Sequence, residues 1–191
     1  DFFLDFSRVP DREPRPHRLH LDVFGGDRRD ELVQVALDAG AVHLDIGQGD
    51  VPWVVLGDPE DYAFRVMPQR RWYRDTGPIA GIPIDADDVP AANAFWREAF
   101  DWVADDENIF RHPSGYGPLI AFTEPVEPKR GKNPMHLDLR VAPGQDYEAE
   151  LARLLGLGAR RLQHNWGELN WTVLVDPGNN EFCLLRPITA G

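Results

Sequence analysis

One stretch of this chain can be laid over another. Residues 3–23, "FLDFSRVPDREPRPHRLHLDV", lie without a gap on residues 119–139, "LIAFTEPVEPKRGKNPMHLDL", bringing His20 over His136 and Asp22 over Asp138. Each stretch reads as an apolar strand, a loop rich in proline and charge, and a strand of alternating residues. The match resumes after a loop two residues longer in the second copy, where "DELVQVALDAGA" (30–41) lies against "EAELARLLGLGA" (148–159). Val33, Ala36 and Leu37, like Leu151, Leu154 and Leu155, mark the apolar face of a helix. Gly40 and Gly158 follow as residues suited to a left-handed helix end. Each copy then runs through a variable stretch into a strand ending in Asp-Pro, "WVVLGDP" (53–59) or "WTVLVDP" (171–177), and a closing strand, "YAFRVM" or "NEFCLL". The predicted unit is βαβββ, with one of its strands placed in the variable stretch. A repeat of this kind constrains the fold, because units that cannot bury their apolar faces alone must pack on each other.

A third unit lies between the copies. Its strand is 77–86 and its helix 91–102, with Ala92, Phe95, Trp96 and Ala99 at helical spacing. Asp88 caps the first turn and Pro90 fits inside it. The strands 108–113 and 118–125 complete it, and 68–77 is the linker from the first repeat.

Composition bounds the function. With 191 residues, 42% hydrophobic and 27% charged, the chain has room for one to two ordinary domains. No apolar run reaches the roughly 18–20 residues of a membrane span, and residues 1–14 lack the order of a signal peptide. A net charge of −12 disfavours nucleic acid as a partner. The single cysteine, Cys183, excludes an intramolecular disulfide, and a cytoplasmic location is expected.

Successive βαβββ units, carried by "FWREAFDW", "FTEPVEPKRGKNPMHLDLRV", "WTVLVDPGNNEFCLLRP" and "DIGQGDVPWVVLGDP", resemble the vicinal-oxygen-chelate superfamily of glyoxalase I, bleomycin-resistance proteins and extradiol dioxygenases. The sequence is most similar to the glyoxalase-like domain proteins common in bacteria. The resemblance implies an α+β fold in which tandem βαβββ units form cupped mixed sheets, with helices packed outside and a ligand on the concave side. It divides the chain into 1–67, one unit of a first domain; 68–77, a linker; and 78–191, a complete domain of two units. It also implies that a unit of about 45–50 residues, ending in the strand "FFLDF", belongs before the first repeat. The alternative is a homodimer in which the incomplete first domain pairs with its copy.

Metal-dependent members of the superfamily hold Fe, Mn, Ni or Zn through His and Glu on the first and last strands of their units. His136 stands at the first-strand position. The last-strand position, three residues after Asn180, is Cys183, and its counterpart in the first copy is Arg65, a cation that repels a metal. The third unit offers Ile82, Phe122 and Thr123. His136 with Cys183 falls short of the usual set. Glu181, which shares a strand face with Cys183, is the remaining candidate ligand.

The ring of His20 or His136 also serves locally in a strand, hydrogen-bonded beside the cup. Asp22 and Asp138 lie on the same faces as these histidines, so His136 with Asp138 is equipped to act as a general base. The same pairs equally satisfy buried polar groups. Cys183 has no basic neighbour in sequence and reads as an inert thiol. Of the six tryptophans, Trp96 and Trp102 fit the core, and Trp53 and Trp171 match as strand starts. Trp166 has no counterpart in the first copy, which makes it, with His164, Glu168 and Phe122, the candidate lining of a ligand site. The expected function is small-molecule binding, of a planar or aromatic ligand, in an apolar cup, with no cofactor. The alternative is a metal-dependent lyase, isomerase or dioxygenase with His136 as a ligand.

Overall fold

The computed structural model describes residues 3–8, 17–100, 102–106 and 108–188. Three βαβββ units follow one another, as the repeat predicts. The first comprises β1 (Leu21–Gly26), α1 (Arg29–Asp38), β2 (Val42–His43), β3 (Val54–Gly57) and β4 (Ala63–Pro68). The second comprises β5 (Ile79–Asp85), α2 (Val89–Phe100), β6 (Val103–Asp106), β7 (Ile109–Arg111) and β8 (Leu119–Thr123). The third comprises β9 (Leu137–Arg140), α3 (Tyr147–Gly156), β10 (Arg160–Arg161), β11 (Thr172–Val175) and β12 (Glu181–Leu185). In every unit the first strand pairs in parallel with the last, since the intervening helix carries the chain back across the sheet.

Local chemistry sets the helix ends. The carboxylate of Asp88 accepts a hydrogen bond from the Ala91 amide at 2.9 Å, and that of Asp146 from the Ala149 amide at 2.8 Å. Gly40 and Gly158 follow α1 and α3 with φ of 100° and 113°. A Cβ on Gly40 would lie 3.4 Å from Pro59, and one on Gly158 3.4 Å from Pro177, so each helix exit packs on its own unit's Asp-Pro turn.

The units assemble through their first strands. β1 pairs antiparallel with β5, joining the first two units into one eight-stranded sheet of order β2-β3-β4-β1-β5-β8-β7-β6. The third unit forms its own four-stranded sheet, β10-β11-β12-β9. Among the described residues, β9 pairs with β12 alone, so its outer edge is open. Hydrogen bonding therefore groups the second unit with the first, whereas the sequence grouping 78–191 joins it to the third. The open first-strand edge belongs to the third unit and not to the first repeat.

The second and third units instead pack back to back through their helices. Trp96 and Phe95 of α2 lie against Phe182 of β12, with ring centroids 5.0 and 5.7 Å apart. The Trp96 indole donates to Asp176 at 2.7 Å. Arg18, 1% exposed, donates to the carbonyls of Asp85 and Gly178 and pairs with Asp87 at 2.9 Å, tying three units together. Gly178 is required at that contact, because a Cβ there would meet Ala86 Cβ at 2.8 Å and Ala92 Cβ at 3.0 Å.

Two expected segments differ. Of the expected strand "FFLDF", Phe2 lies outside the described residues, and residues 3–6 carry no strand, with Phe3 and Phe6 exposed. A strand needs a neighbour to take its backbone groups, and among the described residues none pairs with these. The linker 68–77 is a packed element: a 3₁₀ turn, Arg71–Tyr73, presses Tyr73 against Met67, Ala80 and Leu119 on the sheet face opposite α1 and α2. No helix among the described residues is long and apolar enough to cross a membrane.

Candidate functional site

Register brings the two His-Leu-Asp motifs to equivalent places. In the eight-stranded sheet Asp22 stands opposite Arg65, and in the four-stranded sheet Asp138 stands opposite Cys183. Alternation turns these residues to the concave face, because Phe64 and Val66 pack under α1 while Phe182 and Leu184 pack under α2 and α3.

In the first site Arg65 Nε and Nη2 donate to the two Asp22 oxygens at 2.6 and 2.9 Å. The guanidinium lies 5.3 Å from the centre of the Trp53 ring. His20 Nε2 is 3.9 Å from Asp22, beyond hydrogen-bond reach, and is buried without a partner. Burial, aided by the Arg65 and His17 charges, pulls the His20 imidazole down to about 3, so it is neutral near pH 7. Gly81 lies on the far side of Asp22, where an added Cβ would come within 3.3 Å of the Leu119 carbonyl oxygen.

The second site is built differently. His136 Nε2 lies 3.2 Å from Asp138 Oδ1 and 3.4 Å from Cys183 Sγ. Burial pushes the Asp138 carboxyl up, but hydrogen bonds from His136 and Cys183 outweigh it and hold the group below the usual range. Burial and the adjacent Asp138 charge push the Cys183 thiol up to about 12. The thiol is therefore protonated near neutral pH and a weak nucleophile. Ligand atoms of His136, Asp138 and Cys183 all lie within 4.8 Å of one another. This donor set fits a thiophilic divalent cation once the thiol gives up its proton.

The other candidates fall elsewhere. Glu181 shares the face of Cys183 but is held by Lys129 Nζ at 2.6 Å and the Asn133 amide at 3.1 Å. Burial raises its carboxyl, and those two donors more than reverse the effect. Phe122 packs against Trp96 and Phe110 in the core behind the sheet, since its position in β8 has the parity of Ile120 and not of Ala121. His164 and Trp166 stack on each other with centroids 4.7 Å apart, and both are exposed, as is Glu168. His164 lines a cavity of about 230 Å³ with Leu162, Trp171 and Val173, and Trp166 and Glu168 are not in its lining. Sequence reasoning read Arg65 only as a metal-repelling residue and Trp53 as a strand start. The available signal was their position: through the repeat Arg65 aligns with Cys183 of the second site, and Trp53 with Trp171.

The fold and the paired concave faces define a protein of the vicinal-oxygen-chelate class. The family model of the Glyoxalase-like domain matches residues 1–67 and 81–185, and the chain belongs to that family. Glyoxalase I from Zea mays superposes with a TM-score of 0.57 at 14% identity, over 87% of this chain and 66% of that one. A putative dioxygenase from Bacillus subtilis gives a TM-score of 0.56 at 11% identity, over 90% of this chain and 62% of that one. This chain thus spans less than two thirds of either protein's length, and at such identities the likeness is one of fold. No curated protein sequence matches it.

Proposed function

We propose that this glyoxalase-like chain binds a small molecule in the cup of its eight-stranded sheet, without a catalytic metal there. The observation that carries the reading is the Arg65–Asp22 pair. It sets a fixed cation at the last-strand position and spends the carboxylate that a metal would need. An apolar wall with a few convergent polar groups is the usual character of a small-molecule site, and Trp53 and Phe24, half-buried beside Tyr73 on that face, supply the apolar part.

A second reading, a metal-dependent lyase, isomerase or dioxygenase, is favoured by the His136–Asp138–Cys183 cluster. Those three residues would hold the ion, which when bound would polarise a substrate oxygen. His136, one of the donors, is also the general-base candidate.

Elemental analysis of protein purified without a chelating column, with a thermal-shift screen of planar aromatic compounds, separates the readings. The first expects substoichiometric metal and a stabilising ligand recovered unchanged. Stoichiometric Fe, Mn, Ni or Zn, lost in His136→Ala, together with an empty aromatic screen, would establish the second in its place.

Homodimerisation belongs to the same proposal, through β9. Antiparallel self-pairing about Leu139 sets Asp138 of each copy opposite Arg140 of the other. Light scattering should then report a dimer for the native chain and a monomer for Arg140→Asp; a native monomer excludes the association.

A further inference from the structure

We infer that the cup of the eight-stranded sheet is a receptor for a planar monocarboxylate, gripped by the free fork of Arg65; this rests on the small-molecule reading above. A guanidinium offers two parallel pairs of N–H groups. Asp22 takes the side-on pair, from Nε and Nη2. The end-on pair, from Nη1 and the second N–H of Nη2, has no hydrogen bond to any described residue, and Nη1 is not among the buried unpartnered atoms. That pair matches the two oxygens of a carboxylate in spacing and plane.

Three further features select the ligand. Trp53 covers one face of the guanidinium, so a flat group coplanar with the fork continues against the same indole. His20 Nε2 is buried without a partner, which is costly unless something on the cup side satisfies it. Asp22 already balances the Arg65 charge, and Asp85 lies close enough to feel it. A monoanion restores neutrality at the fork, whereas a dianion such as a phosphate faces two carboxylates. The equivalent position in the other sheet does not repeat this arrangement: Cys183, the Arg65 counterpart, has no cation to offer.

Benzoate, benzamide and benzenephosphonate are the probes, titrated by calorimetry into the native chain. The Arg65 side-chain and His20 ring nitrogen signals are followed by NMR. Benzoate should bind at least roughly 10-fold more tightly than either of the others, the worth of a charge-assisted bond, and should shift both sets of signals. Arg65→Lys keeps the charge but loses the fork, and should lose most of that preference. Should that variant fail to fold, the signals of the native protein still decide the matter. Equal affinity for benzoate and benzamide, or benzoate binding that leaves Arg65 unmoved, overturns the assignment while the small-molecule reading stands. Failure of benzoate to bind also overturns it; the broader reading falls only if the aromatic screen is empty as well.

Discussion

Arg65 faces Asp22 across two parallel strands, in the register that sets Cys183 opposite Asp138 in the other sheet. The same motif thereby yields two chemistries. With an arginine opposite, the aspartate is locked in a bidentate pair and its histidine is left without a partner. With a cysteine opposite, the aspartate takes the histidine and the thiol.

The first pair should matter for stability through what its loss leaves behind. Asp22→Asn is expected to cost about 2–3 kcal/mol in urea unfolding, somewhat below the cost of a fully buried pair because Arg65 keeps some solvent. Asp22→Leu combined with Arg65→Met should recover most of that loss, since neither charge is then stranded.

His20 should make the fold sensitive to mild acid. Its imidazole titrates near 6.5 when unfolded and near 3 when folded. Between those values the unfolded chain binds the extra proton, so stability is full above about pH 6.5 and falls as pH drops, by roughly 1.4 kcal/mol per pH unit. Asp22, Asp85 and Asp176, whose carboxyls burial pushes up, act in the opposite sense at the acid end. Urea midpoints from pH 7 to 4 should therefore show a shallower slope in His20→Gln than in the native chain.

Cys183 should be inert in the folded protein. With the thiol held near 12 and buried, alkylation by iodoacetamide at pH 8 should run at least roughly 100-fold slower than in denaturant. Comparable rates in the two states would show that the folded thiol is neither shielded nor raised.

Arg18 and Gly178 should act as one contact. Arg18→Met removes one of the donors to each of the Asp85 and Gly178 carbonyls, which keep Asn180 and the Asp87 amide, and takes the cation from Asp87, which keeps Asn179; the expected loss is about 2 kcal/mol. Gly178→Ala overpacks α2 and should cost about 1–3 kcal/mol. Because Arg18 bonds the Gly178 carbonyl, the double variant should lose less than the two together. Equilibrium unfolding of the three variants measures the coupling.

Much of the fold was legible before any coordinates. The alternation of His20 and Asp22, the helix faces of Val33 and Leu151, and the glycines at 40 and 158 are consequences of period and backbone sterics. Neighbours along the chain suffice to fix them. The repeat then identified the equivalent strands. The site was legible only in part, because His136, Asp138 and Cys183 could be named as a face but not as a cluster with distances.

Tertiary structure decided which unit meets which. β1, β5 and β9 carry similar patterns, and nothing local makes β5 choose β1 over β9; the choice follows from Trp96 and Phe95 fastening α2 against the third unit, which leaves the second unit's sheet edge to the first. Phe122 went to the core and residues 3–6 formed no strand for the same reason: side-chain direction and strand pairing both depend on neighbours distant in sequence. The sequence by itself determined the βαβββ units and the residues on their concave faces. Only packing between units determined that Arg65 and Trp53 lie in a paired cup while His136 and Cys183 lie beside an open edge.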